Sequence, residues 1–364
     1  MNSAPGNPDC IKLTSYFSER HRAGGRFTAD ALLDLYGRHE ITASILLRGT
    51  EGFGLKHHLR TDRSLTLSED LPLIAVAVDR RPRIEAVLGE TLRRSSPGLV
   101  TLERARLLAG DLDVDGLPAG PADGTKLTIY LGRQERVYRV PAFVAVCDLL
   151  HRRGLAGATV LLGVDGTARG RRERARFFSR NAEVPVMVIA VGAAGQISRV
   201  LPELGALLRD PLVTLERVSV CKRDGEMIDA PHPLPGVDEH GMALWQKIMI
   251  YTSESDRYRG QPLHRAIVRE LRAAGVSGAT TQRGIWGFDG DHPPHGDRVL
   301  QLGRHVPAVT IVIDSPDRIA AAFAVIDRLT SERGLVTSET IPAMRAAGGG
   351  RSRGGTRLAT HHLR

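Results

Sequence analysis

The stretch "KLTIY", Lys126–Tyr130, decides how the chain is read, because it recurs as "KLTSY" at Lys12–Tyr16 and as "KIMIY" at Lys247–Tyr251. In the third copy Ile248 and Ile250 share one face, the period of two expected of a half-buried strand. The tyrosines lie 114 and then 121 residues apart, and Gly49, Gly163 and Gly284 keep those two spacings, as do Gly52, Gly166 and Gly287. Pro72, Pro185 and Pro307 open an apolar run in each copy, and "LVT" follows at Leu99, Leu212 and Leu335. Self-similarity on this scale marks a tandem repeat. Of the chain's lysines, Lys12, Lys126 and Lys247 occupy one repeat position, leaving only Lys56 and Lys222 elsewhere.

The repeats run over 11–108, 125–222 and 246–344. Segments 109–124 and 223–245, rich in Gly, Pro and Asp, read as linkers. The Gly- and Arg-rich end, 345–364, is expected to be disordered.

The third copy shows the unit most plainly. After its first strand, Pro262 stands at a helix start and Gly275 past its end, framing Leu263, Ile267 and Leu271 at helical spacing. A strand from Gly278, the strand "PAVTIVID", a helix entered through Ser315 and Pro316, and a last strand at "GLVTSETI" complete the order βαββαβ. That order is the ferredoxin-like motif of the α+β class, an antiparallel sheet with both helices on one face. The other face is bare, and along the first strand it carries Lys126, Thr128 and Tyr130 or their counterparts. Three such domains in one chain are expected to cover one another as an intramolecular pseudo-trimer rather than to hang as beads on a string.

Composition narrows the class. The 364 residues, 42% hydrophobic and 25% charged, fit a multi-core globular protein. The formal charge of +9 comes almost wholly from arginine, so it reads either as a solvated surface or as a contact for polyanions. Cys10, Cys147 and Cys221 have no paired spacing, which argues against a disulfide framework or a thiolate metal site. No apolar run is long enough to span a bilayer and the N-terminus lacks the pattern of a signal peptide, so a cytoplasmic protein is expected.

One motif carries chemistry: "LRGTEGFGLKHH" (Leu47–His58), echoed by "LLGVDGTARGRR" from Leu161 and "QRGIWGFDGDHP" from Gln282. Gly49, Gly52, Gly54, Gly163, Gly166, Gly284 and Gly287 at the mouth of a loop allow a nest of backbone N–H groups to hold an anion. Arg48 and Arg283 suit bidentate pairing with phosphate or carboxylate. Phe53 and Phe288 stand beside them, and Lys56, His57, His58 and Arg60, or Arg169, Arg171 and Arg172, add positive charge. The plainer reading is that the glycines end a strand and Phe53 is a packing plug. Lys12, Lys126 and Lys247 either converge on an inner surface, near a three-fold pseudo-axis or the clefts between domains, or stand in solvent at strand starts. Tyr16, Tyr130 and Tyr251 read as packing residues with satisfied hydroxyls.

These residues resemble the domain of unknown function 190 family, a branch of the PII-like superfamily. The likeness rests on "LLRGTEGFG" and "LSEDLPLIAVAVD" in copy one, and on "YRGQPLHRAIVRELRAAGVSGATTQRGIWGF" and "VIDSPDRI" in copy three. Copy two contributes "GLAGATVLLGVDG" and "LVTLERVSV" but has Thr167 in place of phenylalanine. The resemblance implies a non-catalytic regulator that binds a small anionic effector, an adenine nucleotide in many PII-like proteins, in clefts between domains. It also implies that loops 51–70, 166–183 and 287–306 contact a membrane transporter or metabolic enzyme. The glycine-rich phosphate-gripping loop of the PII proteins is missing from the short connections "RRSSPG", "LRDP" and "TSERG".

No catalytic constellation stands out, and no enzyme activity, cofactor or metal is expected. "GPADGTK" lacks the Gly-Lys pair of a P-loop. The expected state is a monomer with three-fold pseudosymmetry and no specific nucleic-acid partner. The alternatives are a protein that binds nucleic acid or an anionic surface through its basic surface and Arg/Gly tail, or a structural scaffold.

Overall fold

The computed structural model describes residues 10–54, 57–62, 70–109, 112, 123–168, 171–174, 184–289, 293–296, 306–348 and 350–360. The first repeat contains β1 (Cys10–Ser18), α1 (Thr28–Arg38), β2 (Ala43–Phe53), β3 (Pro72–Arg80), α2 (Arg81–Arg94) and β4 (Gly98–Ala109). The second contains β5 (Asp123–Gly132), α3 (Ala142–Arg152), β6 (Gly157–Ala168), β7 (Pro185–Gly192), α4 (Ala194–Leu207) and β8 (Leu212–Arg223). The third contains β9 (Trp245–Ser253), α5 (Leu263–Ala273), β10 (Ala279–Arg283), β11 (Trp286–Asp289), β12 (Pro307–Asp314), α6 (Pro316–Leu329) and β13 (Leu335–Ile341). Two further strands, β14 (Ala343–Gly348) and β15 (Arg351–Gly355), follow. Shorter two-residue and four-residue strands decorate the connections.

Within each repeat the pairing is antiparallel throughout. In the first, β1 lies between β3 and β4, and β2 flanks β3. The second and third repeats copy this order. The helices of each repeat bury one side of the sheet. In α5, for example, Leu263, Ile267 and Leu271 pack with Ile319, Phe323 and Ile326 of α6 over Ile248 and Ile250. Each such side chain taken from water contributes about 1.5–3 kcal/mol. Ser315 occupies the cap position of α6 as its sequence suggests, without a side-chain capping bond.

The opposite faces meet. Ile45, Ile74, Val76 and Val78 of repeat one, Leu161, Met187 and Ile189 of repeat two, and Met249, Ile311, Ile313 and Ile341 of repeat three belong to one buried cluster. Lys126 and Thr128, on the face left bare by a single unit, are only 2% and 3% exposed.

Strands also cross from repeat to repeat, in two cycles. The far half of β2 pairs with β10, β11 pairs with the near half of β6, and the far half of β6 returns to the near half of β2. The far half of β4 pairs with β8, the far half of β8 with β13, and β14 with the near half of β4. Among the described residues, both outer strands of each repeat's four-stranded sheet are thereby paired with a neighbouring repeat, which covers edges that would otherwise invite aggregation.

Two sequence expectations are corrected here. First, the repeated glycines do not end a strand in repeats one and two, where β2 runs on through Gly49 and Gly52 to Phe53 and β6 runs through Gly163 and Gly166; in repeat three β10 stops before Gly284 and β11 resumes at Trp286. The loops expected from residues 51, 166 and 287 therefore begin several residues later. Second, the segment expected to be disordered from residue 345 folds, because β14 is the far half of the third repeat's last strand and β15 pairs back on it. The step at Pro342 breaks the apolar pattern that would have shown the continuation. Residues 361–364 lie outside the described residues.

Candidate functional site

The three repeat lysines come together at the centre of the molecule with three glutamates, Glu103, Glu216 and Glu339. Lys12 bonds Glu103 at 2.8 Å and also Glu216. Lys126 bonds Glu216 at 3.2 Å and Glu339 at 2.6 Å, and Lys247 bonds Glu339 at 2.8 Å and Glu103 at 2.5 Å. Each lysine thus links its own repeat's glutamate to the next repeat's, and six charges of alternating sign close on themselves. Every member is buried. Burial raises a carboxyl's pKa, but at Glu103 and Glu339 the surrounding ammonium groups win and hold it below the usual range. The same attraction outweighs desolvation at Lys12 and Lys247 and raises them. Lys126, the least exposed, is pushed down by burial to about 8. The three carboxylates come within 4.8 Å of one another, yet each faces two ammonium groups, so a divalent cation would have to displace a lysine.

The glutamates were missed in the sequence although a signal existed. Each stands four residues beyond the repeated "LVT" leucine, in "LVTLE", "LVTLE" and "LVTSE". Tyr16, Tyr130 and Tyr251 pack against the apolar cluster shared by the repeats, as expected of packing residues.

The glycine motif works at the seams between repeats. A Cβ on Gly166 would stand 2.3 Å from the Ser44 carbonyl oxygen, and one on Gly287 2.2 Å from that of Ala158. Gly49, Gly52, Gly163 and Gly284 are hemmed in likewise by the neighbouring repeat or by the proline opening the next strand. These glycines permit close strand approach rather than form a phosphate nest. Phe53 enters the helix-side core of repeat three, and Phe288 enters that of repeat two, where His151 meets it edge-on at 5.1 Å. In repeat two the plug is Thr167, whose hydroxyl bonds Ser44 at 2.8 Å and the Ile41 carbonyl at 3.2 Å. Arg48 and Arg283 are not free forks: they bond Glu19 at 3.0 Å and Glu254 at 2.8 Å, equivalent partners in their two repeats. Lys56 and Arg169 lie outside the described residues.

A cleft does exist where repeat one meets repeat three, with a cavity volume of about 220 Å³. Repeat one supplies the ends of β1 and β2, including Tyr16, Phe17, Gly52, Phe53 and Gly54; repeat three supplies the start of β10 and the end of β12; β14 and Arg353 of β15 form a further wall. Arg353 is fixed by Asp314 at 2.9 Å and lies over the Trp245 ring at 4.6 Å. Asp314, fully buried, also accepts the Ser277 amide. At the rim Arg60 pairs with Asp70 at 3.2 Å. His21 accepts or donates to the Thr28 hydroxyl at 3.1 Å, and burial lowers its pKa. At the seam of repeats two and three the equivalent region is packed, with Val191, Val218, Val220 and Leu335 in one buried cluster against Tyr251. Of the glycine motif and the basic residues after it, Gly52, Phe53, Gly54, His58 and Arg60 line the cleft.

An α/β, sheet-rich chain of three tandem units with a seam cavity is the class these features define. The profile of the DUF190 family, described as "Uncharacterized ACR", matches residues 10–107, 124–220 and 245–343, and the chain belongs to that family. A UPF0166 protein of Aquifex aeolicus is 27% identical over 94 residues, which cover 26% of this chain and 88% of the relative. A UPF0166 protein of Methanocaldococcus jannaschii is 25% identical over 89 residues, covering 24% of this chain and 82% of the relative. A relative of this kind corresponds to one repeat.

Proposed function

We propose that the chain is a non-catalytic regulator whose three ferredoxin-like, PII-like units make a covalent pseudo-trimer, with a small effector held in the cleft between repeats one and three. The observation that carries this reading is the cavity of about 220 Å³ at that seam. Its position supplies a means of signalling. Because β1 and β2 both run antiparallel to β3, their ends leave the sheet on the same side, and the loop after β2 starts from the cleft wall. A ligand there would bias the loop's conformation, and the loop would present that state to a transporter or enzyme. The committed position of Arg353 speaks against a free basic arm for nucleic acid.

Calorimetry of the intact chain against adenine nucleotides, cyclic nucleotides and bicarbonate tests the proposal. Saturable binding of one compound, lost in Ala347→Trp, is the expected outcome. If every compound fails at millimolar concentration, the role reverts to a scaffold.

A further inference from the structure

The cleft's charge arrangement speaks to what it would hold, on the reading that it is an effector site. Among the described residues, two guanidinium groups reach it and both are already neutralised, Arg60 by Asp70 at 3.2 Å and Arg353 by Asp314 at 2.9 Å. Releasing Arg353 would leave Asp314, 0% exposed, without its cation, an outcome a buried carboxylate resists. The strands that line the cleft are paired with one another. Ala279 and Thr280 pair with Phe53 and Gly52, Gly98 and Leu99 pair with Ala347 and Ala346, and the Ser277 amide points at Asp314. His21, desolvated and bonded to Thr28, is disposed to stay uncharged near neutral pH. The buried lysines lie outside the cleft, three in the central ion ring and Lys222 against Asp327. What remains is an apolar slot walled by Tyr16, Phe17, Phe53, Ile311, Ile313 and Met344, with exposed His58 at its mouth.

We infer that the cleft takes a ligand with a flat, largely apolar ring body and at most one negative charge, and does not recognise a polyphosphate. Aromatic walls reward a ring by stacking and area burial. A triphosphate would enter with several charges and meet, among the described residues of the cleft, guanidinium groups already paired with carboxylates.

The test compares adenosine, ATP and anilinonaphthalene sulfonate, a ring-bodied monoanion, by calorimetry and fluorescence on the full chain. Adenosine or the dye should bind at one site per chain, at least as tightly as ATP. That affinity should change by less than about threefold between about 50 mM and about 500 mM NaCl, since little of it is Coulombic. Ala347→Trp should abolish it. Should that variant fail to fold, Thr280→Trp narrows the same slot from the repeat-three side and must weaken binding. ATP binding about tenfold tighter than adenosine, with steep salt dependence, would overturn the inference while keeping the effector site. No saturable binding by any of the three probes would overturn both.

Discussion

Lys126 offers the sharpest test at the scale of single residues. Its ammonium is held between Glu216 and Glu339 at 3.2 and 2.6 Å, and removing it leaves two buried carboxylates short of a partner. Lys126→Met should cost about 3–5 kcal/mol, the usual consequence of breaking a buried pair from one side, read as a shift in urea midpoint at unchanged slope. Acid should attack the same ring. Glu103 and Glu339 have folded pKa values below their unfolded ones, so their stabilisation is complete above the unfolded carboxylate range and drains away as pH falls through the folded values. Denaturation midpoints measured from pH 7 downward should fall once pH drops below about 4.5, and less steeply in Glu103→Gln. The lysines were legible from the sequence because lysine is rare in an arginine-rich chain. The glutamates were not, since acidic residues are common and only their distance from "LVT" sets these three apart.

Strands, rather than side chains, decide what the repeated glycines are for. Gly166→Ala would drive a methyl group to within 2.3 Å of the Ser44 carbonyl at a repeat seam, and should destabilise by about 1–3 kcal/mol or more, as overpacking does. Gly54 has open space around its Cβ position, so Gly54→Ala should change the thermal midpoint little, and the contrast between the two checks the seam role. Periodicity revealed that Gly49 and Gly52 have counterparts in every repeat, Gly166 among them. It did not reveal that the strand continues, because a glycine pair followed by basic residues looks the same at a loop mouth as at a close crossing. The C-terminal strands show a similar gap: β14 replaces, after a proline step, the uninterrupted far halves of β4 and β8. Truncation after Pro342 removes the partner of Gly98–Leu102. It should yield a chain that self-associates through the exposed edge, seen as a concentration-dependent mass in light scattering.

At the scale of the whole molecule, each repeat keeps a helix-side core, but the apolar cluster shared by all three and the two cycles of strand exchange tie those cores into one body. Heating should therefore give one transition, with calorimetric and van 't Hoff enthalpies in agreement. Three separate transitions would mean that the repeats unfold as independent bodies. The tandem organisation and the βαββαβ order were readable from spacing alone, because each landmark occurs three times. Which seam is open was not readable, since it depends on how Met344, Leu107 and Val220, at matching positions on the crossing strands, fill the gaps beside Tyr16, Tyr130 and Tyr251.

The covalent join between repeats has a genetic consequence. In an assembly of identical chains every codon change lands at all the corners at once, so a corner that gains something imposes the same alteration on its siblings. Here Lys12, Lys126 and Lys247 have separate codons, and so do Thr167 and the two phenylalanines opposite it in the series. Selection can revise one corner while the others keep the structure intact, and dilution cannot shuffle the revised corner away.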